Sequence, residues 1–289
     1  MFRRRSGITL SALPKYLAKG YGQGEGASYQ PMIHVQDFPS KGWRNREFGF
    51  KTGRQHDYLS NPELHYHYFL DLSKIVVDFR EQFPLLPLEM TLGIAEQCGI
   101  RHPFDRVAGE PIVMTTDFLV ILPQDIGFSK QARSVKLYKD LLNKRTIEKL
   151  ELERRFWQAQ GIQWAIVTEH EIDLALVKRM KWVYKFLPVS SLAPLSEGDI
   201  RQIAVTLTRL LISKSDCLSN IALTCDKQLR LKAGQSIAIA RHLIASQQWR
   251  VDMTKPVHPF ENLELLGNSL LEPGRKKGAI HVSAKKRTT

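Results

Sequence analysis

The stretch TTDFLVILPQDIGFSKQARSVK, Thr115 to Lys136, decides how this chain is read. Its first part, TTDFLVIL from Thr115, is an apolar run rich in the β-branched and aromatic residues that strands favour. Its last part, ARSVK from Ala132, is a second short run. The polar, Gly-containing segment from Pro123 to Gln131 joins them as a hairpin loop. In a hairpin the outer ends lie side by side, so Asp117 near the start and Lys136 at the finish bring an acid and an amine to one spot. Upstream, HDYLSNPELHYHYFLDL from His56 carries helix-start chemistry. Ser60 or Asn61 can cap, Pro62 suits the first turn, and Glu63 follows it. Glu63 gains from the helix dipole with or without a chemical task. Two carboxylates and a lysine are what metal-assisted hydrolysis of a phosphodiester requires. The carboxylates hold a hard cation, and the ammonium orients water or neutralises charge on the phosphate.

Working outward, Leu64, Tyr68 and Leu72 recur at helical spacing behind Glu63 and face a core. IVVDFREQFPLLP from Ile75 reads as a buried strand ended by Pro84 and Pro87, with a less regular stretch after it. Within its REQF run, Glu81 and Gln82 are candidates to back the site or simple strand-end residues. From Asn143 the pattern turns helical, with Ile147, Leu150, Arg154 and Trp157 at spacings of three or four, and Gly161 ends it. IQWAIVTE follows as a strand expected to lie parallel to an earlier one. The order helix, strand, strand, strand, helix, strand predicts an α/β mixed sheet flanked by helices.

A second, α+β domain is expected from Glu169. SEGDIRQIAVTLTRLLISKS opens with Ser196 and Asp199 in capping-box spacing. SNIALTCDKQL and KAGQSIAIARHLIASQQW supply two more helices, and WRVDM with the Lys255-Pro256 turn a small ribbon. Three helices and a ribbon form the layout of a winged helix-turn-helix, or of another small helical bundle. Its third helix would turn Gln235, Arg241 and Gln247 to solvent. The expected boundaries are a basic arm over 1–22, the first domain over 23–168, the second over 169–266 and a basic tail over 267–289.

The chain has 289 residues, 43% of them hydrophobic, and a formal net charge of +13, which suits an ordered protein with a polyanionic partner. Arg3, Arg4, Arg5, Lys15 and Lys19 load the N-terminal arm and are candidates to grip a nucleic-acid backbone. Arg275, Lys276, Lys277, Lys285, Lys286 and Arg287 load the tail. The three cysteines, Cys98, Cys217 and Cys225, fit no zinc spacing and read as reduced thiols of a cytoplasmic protein. No apolar run approaches membrane-spanning length, so no membrane partner is expected. The glycines of GYGQGEGASY from Gly20 are irregularly spaced, with no strand before them, which argues against a phosphate-cradling loop. His102, between Arg101 and Pro103, is either a phosphate contact or a satisfied loop histidine.

The strings GQGEGASYQP, HDYLSNPELHYHYFLDL, DFREQFPLLP, RHP at Arg101 to Pro103, MTTDFLV and RTIEKLELERRFW resemble, in order over roughly residues 20 to 170, the TnsA family of transposase endonuclease subunits. The resemblance implies a restriction-endonuclease-like fold, with the family's catalytic glutamate at Glu63, its aspartate at Asp117 and its lysine at Lys136. It also implies Mg²⁺ held by the two carboxylates and a strand carbonyl such as that of Val135, with Mn²⁺ able to substitute. The implied task is hydrolysis of the non-transferred strand at the 5′ ends of transposon DNA in a bacterial nucleoid. The implied partners are a TnsB-like transposase and a TnsC-like ATPase contacting the second domain. Ser134 departs from the pattern, since TnsA-like chains often carry Gln two residues before the lysine. A serine reaches less far, so the metal would lean on Glu63, Asp117, backbone and water, and weak Mg²⁺ affinity is expected without DNA. Two other readings remain open: a standalone restriction or repair nuclease, and a non-catalytic DNA-binding adaptor.

Overall fold

A computed structural model describes residues 7–34 and 45–271. The chain divides into two compact units, Met1–Lys181 and Trp182–Thr289, and the division falls within one helix.

The elements of the first unit, in chain order, are α1 (Leu13–Leu17), β1 (Asn45–Gly49), β2 (Arg54–Tyr58), α2 (Asn61–Leu72), β3 (Asp78–Pro84), α3 (Leu88–Gln97) and the short pair β4 (Phe104–Asp105) and β5 (Glu110–Pro111). Then come β6 (Thr115–Pro123), β7 (Phe128–Val135), α4 (Lys144–Ala159), β8 (Gln163–Val167) and α5 (Leu174–Tyr184). The central sheet has the order β3-β6-β7-β8. Its first two pairings are antiparallel, and β8 adds parallel to β7 after the α4 crossover, as the element order predicts. The hairpin is longer than its apolar runs suggest. Pro123 pairs with Phe128, leaving only 124–127 as the turn. Backbone hydrogen bonds carry the ladder through Ser129, Lys130 and Gln131, which no apolar signal marks.

Alternation along β6 feeds two cores. Leu119 and Ile121 pack with Leu85, Ile94, Leu152, Phe156 and Trp157, so α3 and α4 cover that face. Phe118 instead meets Tyr58 and Tyr66, in an aromatic layer with Phe79, His56 and His67. Several elements of this unit escape the sequence reading, α3 and β2 among them. The irregular stretch after β3 contains α3, and the beginning of HDYLSNPELHYHYFLDL is strand β2.

Residues 7–22, expected as a solvated arm, are docked. Val113 N–H donates to the Ile8 carbonyl at 2.8 Å and Leu10 N–H to the Pro111 carbonyl at 3.1 Å. Ile8, Met32 and Val113 form a small core with Leu13, Tyr16 and Tyr21 against it. Apolar residues interleaved with the basic ones explain the difference. The glycine-rich stretch also has a packing role. At Gly22, where φ is +71°, a Cβ would stand 2.6 Å from Pro84 Cγ, so only glycine lets this loop lie on the end of β3.

The second unit holds α6 (Glu197–Ser213), α7 (Leu218–Gln228), α8 (Gln235–Ala245), β9 (Trp249–Val251) and β10 (Leu265–Asn268). β9 and β10 pair antiparallel, so three helices precede a two-stranded ribbon. Its core joins Leu207, Ile221, Ile239 and Leu243 to Trp249, whose indole N–H donates to the Thr208 hydroxyl at 2.9 Å. Asp226 accepts from Gly234 and Ser236 N–H at 2.8 and 2.9 Å and so closes the turn from α7 into α8. Arg241 is not presented to solvent as the helical spacing predicts. Its guanidinium lies 4.0 Å from the Phe186 ring centroid and donates to the Trp182 carbonyl. Among the described residues, no helix is long and apolar enough to cross a membrane.

Candidate active site

Glu63 owes its position to the start of α2. Ser60 is the N-cap: its hydroxyl accepts from Glu63 N–H at 3.3 Å and donates to Glu63 Oε1 at 2.7 Å. Leu59 N–H donates to Oε2 at 3.2 Å. These bonds reproduce the capping chemistry legible in the sequence, and they also aim a buried carboxylate toward the sheet. Asp117 sits at the start of β6. Its Oδ2 accepts from Lys136 Nζ at 2.5 Å and from Val135 N–H at 2.7 Å. Lys136 Nζ also donates to the Val135 carbonyl at 3.1 Å. The hairpin therefore brings its outer ends together. Gln82 links this pair to Glu63, because its Nε2 lies 3.5 Å from both Glu63 Oε2 and Asp117 Oδ1.

The electrostatics follow from crowding two carboxylates in a buried place. Burial first, and then the Asp117 charge, push the Glu63 carboxyl from 4.5 up to about 7; Ser60 and Lys136 oppose this. Burial works against the Lys136 ammonium, yet the ion pair with Asp117 outweighs it and raises the pKa. The donors that converge are oxygens, which suits a hard cation. Among the described residues no three His, Cys, Asp or Glu side chains form a ready cage. Two carboxylates with carbonyl and water oxygens fit Mg²⁺, which retains several waters in most sites.

Glu153 on α4 is one residue that sequence reasoning missed. It is 5% exposed, and its Oε1 accepts from the Ser134 hydroxyl at 2.5 Å and from the Thr116 hydroxyl. Burial and the Asp117 charge push its carboxyl up. A buried acid thus fastens the strand residues next to Asp117 and Lys136. The available signal was phase: Leu150, Glu153 and Trp157 share the inward face of α4. Arg154, read onto that stripe, is instead paired outward with Glu151 at 2.7 Å. Ser134 is fully buried, gives its hydrogen to Glu153 and accepts from Trp164 Nε1 at 3.3 Å.

Glu81 lies behind the site. Arg54 grips its carboxylate with both terminal nitrogens, at 2.5 and 2.7 Å, and His56 Nδ1 lies 2.8 Å from it. Burial alone would raise the Glu81 carboxyl, but His56 and Arg54 overcome it and hold the group at about 2. Neither Arg54 nor His56 has a chemical signature in sequence, since both are distant from Glu81 along the chain. At His102 both ring nitrogens are engaged, by the Thr91 hydroxyl and the Pro103 carbonyl at 3.0 Å each, so the ring makes loop contacts. Lys15 and Lys19 are exposed on and after α1. Arg3, Arg4 and Arg5 lie outside the described residues, as does the tail from residue 272.

A cavity of about 690 Å³ opens onto Asp117, Lys136, Gln82 and Glu153. Arg101, Arg106, Arg145 and Lys149 line its other parts, while Glu63 is buried and does not line it. Arg145 is paired with Glu148 at 2.8 Å. Arg101, Arg106 and Lys149 have no acidic partner among the described residues. Burial, with Arg145 and Lys136 nearby, pushes the Lys149 ammonium down. A wall of uncompensated cations beside a carboxylate pair is suited to a phosphodiester backbone.

Residues 73–169 match the family model "TnsA-like endonuclease N terminal", and 171–253 match "TnsA endonuclease C terminal". The first match takes in Asp117, Lys136 and Glu153 but begins after Glu63. The chain is 37% identical over 247 residues to the Transposon Tn7 transposition protein TnsA of Escherichia coli, an alignment covering 85% of this chain and 87% of that protein. Two consecutive domain matches and an identity of this extent assign the chain to the TnsA endonuclease family.

Proposed function

We propose that this protein is a Mg²⁺-dependent DNA endonuclease subunit that hydrolyses the non-transferred strand at the 5′ ends of a transposon. The observation that carries this reading is the meeting of Glu63, Asp117 and Lys136, linked through Gln82, where Gln82, Asp117 and Lys136 open onto a cavity lined by Arg101, Arg106, Arg145 and Lys149. Glu63, Asp117 and the Val135 carbonyl are the groups to hold Mg²⁺, with Mn²⁺ able to replace it. When bound, such a cation supplies Lewis acidity that lowers the pKa of water and offsets charge on the phosphate.

The chain's own residues do the rest. Arg101, Arg106, Arg145 and Lys149 hold the DNA backbone along the cavity. Lys136, charged because Asp117 is beside it, donates a hydrogen bond to the attacking water or to a non-bridging phosphate oxygen. Asp117 orients that ammonium, and the Val135 N–H fixes Asp117 in turn. Glu153 holds the ends of β6 and β7 together through Thr116 and Ser134. The fold is read as restriction-endonuclease-like. The second unit is read as a winged helix that meets a TnsC-like ATPase, while a TnsB-like transposase recognises the ends and cuts and joins the other strand. Its third helix is poor in free cations, which favours protein contact over groove reading.

Reconstitution on a labelled transposon end, with and without the TnsB-like partner and Mg²⁺, tests the reading. Cleavage of the 5′ strand is expected only when both are present. Asp117→Ala should abolish it while end assembly survives, and Lys136→Ala should lower the rate by about 10²-fold or more. Cutting by the purified chain alone would favour a standalone nuclease, and an unaffected Asp117→Ala variant would leave only an adaptor.

A further inference from the structure

Gln82 has a backbone conformation that its side chain does not favour. Its φ is +47°, in the left-handed region that costs a residue with a Cβ. The register explains where this happens. Glu81 pairs with Phe118 and Phe83 with Thr116, so Gln82 stands opposite Asp117. Its neighbours hold it there. The Gln82 carbonyl accepts from Met32 N–H at 3.2 Å. The preceding Glu81 carbonyl accepts from the Tyr29 hydroxyl at 3.0 Å, and the Glu81 carboxylate is gripped by Arg54 and His56. A strained residue fixed on both sides, with its side chain 2% exposed between two carboxylates, is placed for a task.

The carboxamide has two ends. At present Oε1 accepts from the Thr115 hydroxyl at 3.0 Å, and Nε2 faces Glu63 and Asp117 at 3.5 Å each. An amide N–H₂ between two acids occupies ground that a cation would otherwise take. A half-turn of the same group would present Oε1 to that ground and N–H₂ to Thr115, whose hydroxyl can accept as well as donate. Glutamine carbonyls are ordinary oxygen ligands of hard cations. Ser134 is not available for this, since its hydroxyl is buried and committed to Glu153.

We infer that Gln82 is a cation ligand that turns over on binding. Its amide N–H₂ bridges Glu63 and Asp117 in the cation-free site, and its Oε1 joins them as a third side-chain oxygen when a divalent cation enters. This inference rests on the nuclease reading of the site and adds to it a ligand that the lysine-flanking Ser134 does not provide.

The test is Mn²⁺ binding to the full chain without DNA, followed by the loss of the free-ion electron paramagnetic resonance signal, so no cleavage is read. Gln82→Glu, which supplies a charged oxygen, should bind about tenfold more tightly than the wild type, and Gln82→Met, of similar length without oxygen, about tenfold more weakly. If the amide only competes with the ion, Gln82→Met will bind as tightly as the wild type or more tightly, and the inference falls. The Gln82 side-chain amide resonance of the unaltered protein gives an independent reading that needs no variant. It should move on saturation with Mg²⁺, and an unmoved resonance would also overturn the inference. Absence of Mn²⁺ binding in the wild type, or full binding by Asp117→Asn, would instead overturn the metal-nuclease reading on which it rests.

Discussion

Glu63→Gln is expected to make the cation-free protein more stable at alkaline pH, although it removes a residue assigned to the chemistry. Burial and Asp117 raise the Glu63 carboxyl from 4.5 to about 7. Between those values the folded protein keeps a proton that the unfolded chain has released. Stability therefore falls as pH rises through this window and is level above it. The gap, 7 − 4.5 or about 2.5 pH units at roughly 1.4 kcal/mol each, amounts to about 3.5 kcal/mol of destabilisation once Glu63 is ionised. Glutamine has the same shape and never ionises. It weakens the bonds from the Ser60 hydroxyl and Leu59 N–H, which offsets about 1 kcal/mol of the gain. A net gain of about 2.5 kcal/mol corresponds to a rise of roughly 5–10 °C in the melting temperature of the first unit. The assay is thermal unfolding in a chelator at about pH 5 and about pH 8.5, where the variant should match the wild type at the first pH and exceed it at the second. Adding Mg²⁺ should raise only the wild type, since an ion that binds the folded state stabilises it by mass action. If the variant is equally destabilised at both pH values, Glu63 is an ordinary helix-capping acid and the electrostatic reasoning is wrong.

Arg54→Met should cost about 3–5 kcal/mol in urea unfolding, because it leaves the fully buried Glu81 carboxylate without its main cation; a loss below about 1 kcal/mol would mean that His56 alone satisfies Glu81. Glu153→Ala should destabilise by about 1–3 kcal/mol through the stranded Thr116 and Ser134 hydroxyls, and Glu153→Gln should recover most of it; equal losses in the two variants would show that the hydroxyl contacts are not the cause. Lys149→Gln and Arg101→Gln should each flatten the slope of log affinity against log salt for duplex DNA by about 1, with anisotropy as the readout. An unchanged slope would remove these side chains from the DNA path.

The central strands, the caps of α2 and α6, the crossover helix and the first strand of the ribbon were legible because each rests on local signals: alternation, capping residues and helical phase; the ribbon's second strand, Leu265–Asn268, was not. Asp117 and Lys136 could be paired from sequence, since a hairpin fixes which residues are neighbours. Glu63 could be suspected from its helix start. The residues that escaped share one trait, which is that their partners are far away in the chain. Glu153 looks like one more acid in a charged helix until α4 lies against Thr116 and Ser134. Arg54 and His56 acquire meaning only when β2 brings them to Glu81. Arg241 is a solvent-facing cation by spacing and a ring-stacked one in the fold.

Sequence alone thus determined which chemical groups were available and which short segments would present them, because propensity, capping and turn chemistry act over a few residues. Tertiary structure decided the surroundings of each group. Sheet register set Gln82 opposite Asp117, helix packing buried Glu153 under the strand ends, and burial moved the Glu63 proton toward neutrality. These are effects of desolvation and of distance through space, and the linear order of residues records neither.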